Sequence, residues 1–143
     1  MPYPSLLVQP FRDELSRIGV SELMTPEAVD EFMNEKTGTA LLVINSVCGC
    51  AAGRARPALR MALEQGRRPD RMGTVLAGQD LDATAQARSY FADIPPSSPS
   101  MAFFKNGELV YFMPRADIES READAIAADL AAVFSQHCAR SAP

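Results

Sequence analysis

An α/β fold with a central mixed sheet and helices on both faces is what this 143-residue chain predicts. Three observations carry that prediction. Two short runs, residues 40–45 and 72–77, have the length and near-continuous apolar character of strands buried on both faces. Each is followed by a stretch of helical composition, so strand and helix alternate. Asn106-Gly107 then separates two more apolar runs, and Asn-Gly is the strongest short hairpin signal because both turn positions need positive φ.

Taken in order, Phe11, Leu15 and Ile18 keep helical spacing over residues 9–18, and Gly19 sits where a helix commonly ends. Thr25 opens a second helix as its cap, with Pro26 at the first position and Glu27 near the positive dipole end; it should run to about Lys36. Residues 51–65, rich in Ala, Arg and Leu, predict a third helix kinked at Pro57 and stopped by Gly66. Gly78-Gln79-Asp80 turns the chain into a fourth helix reaching Phe91. The Pro- and Ser-rich residues 94–100 read as a loop, followed by hairpin strands over residues 101–105 and 108–113. One terminal helix is expected over residues 119–138, with Ala123, Ile126, Leu130, Val133 and Phe134 on its buried face.

Length and composition bound the rest. With 47% apolar residues the chain is long enough to close one hydrophobic core and too short for two ordinary domains, so residues 1–143 are expected to form a single domain. A formal net charge of -4, with no basic stripe, argues against nucleic acid as a partner. Met1-Pro2-Tyr3-Pro4-Ser5 lacks the features of an export signal, and no apolar run approaches the roughly 20 residues that cross a bilayer. A cytoplasmic protein without a membrane partner is expected. Three cysteines do not make a disulfide framework.

The arrangement of those cysteines carries the chemistry. Cys48-Gly49-Cys50 follows the first predicted strand and precedes a predicted helix, where free N–H groups and the helix dipole favour a thiolate. Gly49 lets the backbone turn tightly enough for the two sulfurs to meet. The small ring so closed makes the disulfide of the labile, exchanging kind. In that chemistry Cys48 is the nucleophile, forming a mixed disulfide, and Cys50 resolves it. Arg54 and Arg56 either raise the local positive potential and hold an anionic thiol or simply line the solvent face of the helix. No dinucleotide-binding glycine pattern is present, so electrons must come from another thiol or protein.

Asn45-Ser46-Val47-Cys48-Gly49-Cys50-Ala51-Ala52-Gly53 with Ala55-Arg56-Pro57-Ala58 resembles the signature of the bacilliredoxin family. Thr25-Pro26-Glu27, Gly78-Gln79-Asp80-Leu81 and Pro95-Pro96-Ser97-Ser98-Pro99-Ser100 are similar to further family segments, so the resemblance covers most of the chain. It implies a thioredoxin-like fold and removal of bacillithiol from mixed disulfides on proteins. Its substrates would then be protein mixed disulfides and a low-molecular-weight thiol, with no tightly bound cofactor. Disulfide isomerase activity is the alternative use of the same exchange. The thioredoxin-like fold also makes Pro99 the candidate for a cis-proline beside the cysteines. One departure is visible. Family members commonly carry a His and a Glu-Gly pair where this chain runs Ala116-Asp117-Ile118-Glu119-Ser120, so no role for that His is carried over.

Metal binding is the competing chemistry. Cys48, Cys50, His137 and Cys138 are a legal zinc set by ligand type. Neighbouring His137 and Cys138 on a helix point about 100° apart, which leaves only a copper or zinc carrier built on Cys48 and Cys50. No resident metal is expected. Cys138 reads as a buried small apolar residue and His137 as a solvated helix-end residue.

Overall fold

The computed structural model describes residues 4–47 and 51–138. Within them five strands form one sheet in the order β1-β3-β2-β4-β5. These are β1 Ser21–Glu22, β2 Thr39–Asn45, β3 Arg71–Leu76, β4 Ser100–Lys105 and β5 Glu108–Met113. β1 and β2 both run parallel to β3, whereas β4 is antiparallel to β2 and β5 to β4. The sheet is therefore mixed, as the alternation and the hairpin together predict.

Every residue of the central β2 is buried, which is why it reads as one apolar run. Its side chains alternate between the apolar clusters on the two faces of the sheet. Leu41 and Val43, with Met101 and Phe103 of β4, pack with Leu15, Leu59, Ile126, Leu130 and Phe134. Those residues come from α1 (Ser5–Ser16), α3 (Arg56–Leu63) and α6 (Ala123–His137). Ala40, Leu42 and Ile44, with Ala102 and Phe104, pack instead with Val29, Met33, Ala83 and Ala87. These belong to α2 (Pro26–Asn34) and α4 (Leu81–Arg88).

Local signals operate where expected. The Thr25 side chain accepts from the Ala28 N–H at 3.1 Å and Pro26 opens α2. Asn106 and Gly107 take φ of 51° and 85°, the pair of positive values that the hairpin needs. The turn is also braced to the start of β2: the Asn106 N–H donates to the Gly38 carbonyl at 2.8 Å, and the Gly38 N–H to Asn106 Oδ1 at 3.0 Å.

Four departures have physical reasons. α1 begins at Ser5 rather than residue 9, and its first turn exposes Leu6 and Leu7, so burial periodicity does not mark it. The third helix is not one kinked rod. Ala51–Ala55 is wound as a π-helical turn, and the α-register starts at Arg56, with Pro57, which has no N–H to give, inside the first turn. The terminal helix is divided into α5 (Arg115–Glu119) and α6, with Glu122 in extended conformation at the break. β1 is invisible to periodicity because Ser21 and Glu22 are a strand only through pairing with Gly73 and Thr74.

That pairing depends on Gly73. A Cβ there would stand 2.7 Å from Leu23 Cδ1 and 3.1 Å from the Phe32 ring, so α2 and the chain after β1 close over a position that only hydrogen fills. Gly73→Val is expected to destabilise the fold by about 2–3 kcal/mol through overpacking, measured by urea unfolding. An unchanged midpoint would show that this packing yields freely.

Candidate functional site

One end of the sheet gathers the segments that sequence reasoning singled out. Asn45 of β2 pairs with Leu76 of β3, Ile44 with Ser100 of β4, and Met101 with Met113 of β5. Hence β2, β3 and β5 end there and β4 begins there. Cys48, Gly49 and Cys50 lie outside the described residues. The residues on either side, Val47 and Ala51, connect the end of β2 to the turn that leads into α3.

The junction is held by Asn45 and Arg56. Asn45 Nδ2 donates to the Phe11 carbonyl of α1 at 3.2 Å, while its Oδ1 accepts from the Ser46 N–H at 2.9 Å and from Arg56 Nη1 at 3.0 Å. Arg56 Nη1 also donates to the Ser46 carbonyl at 2.8 Å. Its Nε stands 3.2 Å from Glu14 Oε2, and the guanidinium carbon lies 4.9 Å above the Phe11 ring. The Arg56 side chain is only 2% exposed. A solvent-face Arg56 is thus corrected: the residue commits its fork to the strand end, a carboxylate and a ring, which fixes a guanidinium against Ser46, two residues before Cys48 in the chain. Arg54 is more open, with its guanidinium 3.9 Å from Glu122.

The Ser98–Pro99 peptide bond is cis, and Pro99 directly precedes Ser100 at the start of β4. Around it Arg115 Nη1 donates to the Ser98 carbonyl at 3.2 Å, and Ser100 Oγ and Arg88 Nη2 donate to the Ser97 carbonyl at 2.9 and 3.3 Å. Sequence reasoning assigned no role to Arg115 or Arg88, because each looks like an ordinary surface cation until the loop is folded against it. Arg12 and Asp80, at the same end, form a buried bidentate pair at 2.9 and 2.6 Å. Ala116, the first residue of the run Ala116-Asp117-Ile118-Glu119-Ser120, is exposed.

Cys138 is elsewhere. Burial pushes its thiol up despite a hydrogen bond with Thr39, the first residue of β2. The six steps of strand between Thr39 and Asn45 put roughly 20 Å between Cys138 and the junction. His137 is also not simply solvated, since its ring is 5.8 Å from that of Phe103. Among the described residues no three His, Cys, Asp or Glu side chains group as metal ligands. Native Cys138 should therefore react with iodoacetamide at pH 8 far more slowly than in urea. A thiol raised on folding contributes stability below its unfolded pKa, and that contribution is lost as pH climbs through the folded value, so the midpoint should fall above pH ~9. Equal alkylation rates in the two states would contradict this burial.

No helix among the described residues is long and apolar enough to cross a membrane. The disulphide isomerase family matches residues 3–138. A bacilliredoxin of Koribacter versatilis is 49% identical over 140 residues, covering 98% of this chain and 97% of its own. A bacilliredoxin of Halalkalibacterium halodurans is 52% identical over 136 residues, covering 95% and 94%. Among solved structures, thioredoxin from Fasciola hepatica overlays with a TM-score of 0.55 at 18% identity, covering 82% of this chain and 99% of that one. A thioredoxin variant from Halobacterium salinarum gives 0.56 at 14% identity, covering 87% and 95%. At such identities these structures speak for the thioredoxin fold alone.

Proposed function

Because the chain belongs to the bacilliredoxin family, a family of disulphide isomerase type, we propose that this thiol-disulfide oxidoreductase removes bacillithiol from protein mixed disulfides through Cys48 and Cys50. The observation that carries the reading is the Asn45–Arg56 junction, which ties the strand end just before Cys48 to the helix just after Cys50. A buried guanidinium there favours negative charge nearby, and a thiolate is the form that attacks a disulfide.

In the proposed reaction the Cys48 thiolate attacks the bacillithiol sulfur of the client's mixed disulfide. The client leaves as a thiolate, and bacillithiol stays bonded to Cys48. Cys50 or a second thiol then attacks Cys48, releases bacillithiol as a thiolate and closes a new disulfide. Each step exchanges one S–S bond for another. Net reduction needs a thiol reductant that re-opens the enzyme disulfide. Pro99 supports the reading by opening β4 at the sheet end from which the cysteine segment departs. Arg54 is the open cation for an anionic thiol, with Arg56 acting behind it through the junction.

The test is release of bacillithiol from a bacillithiolated protein, beside a glutathionylated control. Selective release from the first supports the assignment. Release from neither, with reshuffling of a scrambled disulfide substrate instead, would replace it with isomerase activity.

A further inference from the structure

We propose that the arginine-lined groove between the end of α1 and α3 docks acidic segments of the client proteins, an inference that rests on the exchange reading and extends it to client choice. The groove holds about 550 Å³ between Arg17, Ile18 and Gly19 on one side and Arg60, Leu63, Glu64 and Arg68 on the other. A smaller hollow of about 110 Å³ shares Arg17, Ile18 and Arg60 and continues it to Arg56 and Glu14.

Four arginines here face two glutamates, in a chain whose formal net charge is -4. One of those glutamates, Glu14, is already paired with Arg56. Arg17, Arg60 and Arg68 are exposed, and Arg68 gives Nη2 to the Ile18 carbonyl at 2.7 Å. Arg17 and Arg60 enter no ion pair among the described residues. Excess positive charge in an acidic protein is complementary to carboxylates.

The shape indicates a chain segment rather than a single ion. The groove is open, Ile18 and Leu63 supply apolar wall, and the smaller hollow extends its lining along α3 from Leu63 to Arg56. Arg56, which lines the smaller hollow, is five residues beyond Ala51 at the flank of the cysteine segment. From Arg56 to Leu63 the helix rises roughly 10 Å, the length of about three extended residues. Exposed arginines bind weakly one at a time, which suits a segment already tethered at its other end through sulfur.

The test is fluorescence anisotropy of the full chain with two labelled peptides that contain no cysteine, one bearing four glutamates and one with glutamines in their place. The acidic peptide should bind about tenfold more tightly at low salt, and the preference should vanish near about 0.5 M salt. It should also vanish in the Arg17→Glu/Arg60→Glu variant and persist in Lys105→Glu, a charge reversal on β4 outside the lining of the groove. Equal binding of both peptides by the wild-type chain, or a preference that survives the double reversal, would overturn the proposal. Since neither peptide can exchange disulfides, a failure of the redox assays bears on the exchange reading and not on this one.

Discussion

Cys48→Ser should reduce release of a thiol from a protein mixed disulfide to the background rate, while Cys50→Ser should leave the first attack intact and accumulate enzyme trapped on sulfur. A serine hydroxyl is not ionised at neutral pH and cannot replace a thiolate, so the first variant loses the nucleophile outright. The second retains it but lacks the intramolecular partner that resolves the intermediate, so the adduct persists until an external thiol arrives. Intact-mass measurement separates the two cases, because the adduct adds the mass of its partner to the chain. Equal loss in both variants with no adduct would remove the division of labour between the two cysteines. Cys138 cannot take over as resolver from its place, since it packs by Thr39 at the far end of β2.

The second large effect is structural. Asp80→Ala should cost about 3–5 kcal/mol, because it strands the buried Arg12 guanidinium without its counter-charge. The two side chains are 8% and 6% exposed, and Asp80 Oδ2 also accepts the Leu76 N–H at 3.1 Å. With Asp80 in place its hydrogen bond raises the pKa of Arg12, outweighing burial; without it the guanidinium still keeps its proton, because arginine is too basic to escape burial by neutralising. In a chain of 143 residues the loss should lower Tm by roughly 10–15 °C. Replacing both partners, as in Arg12→Met with Asp80→Leu, should cost much less, since no lone charge remains buried. A single variant no worse than the double would mean that water already reaches the pair. The pair clamps α1 onto the β3–α4 turn at the same sheet end as the Asn45–Arg56 junction, so the single variant should also slow exchange.

The sequence alone determined what short-range chemistry can express. Two buried strands, the Asn106-Gly107 turn, the Thr25-Pro26 helix start and the amphipathic α6 each depend on residues within a few positions of one another. The cysteine pair is likewise read from local spacing, with Gly49 alone between Cys48 and Cys50, and its geometry lies outside the described residues. Tertiary structure decided the rest. Ser21 and Glu22 form a strand only because β3 offers them hydrogen bonds, and Gly73 is required only because Leu23 and Phe32 close over it. Arg56 could be read equally as a solvent-facing cation or a thiol ligand until Asn45, Ser46, Glu14 and Phe11 were folded around it. Arg12 and Asp80 are 68 residues apart in the chain and reveal nothing of their pairing there. A charged side chain carries no local mark of whether it will be solvated or buried, because its cost depends on the partner that only the closed fold supplies.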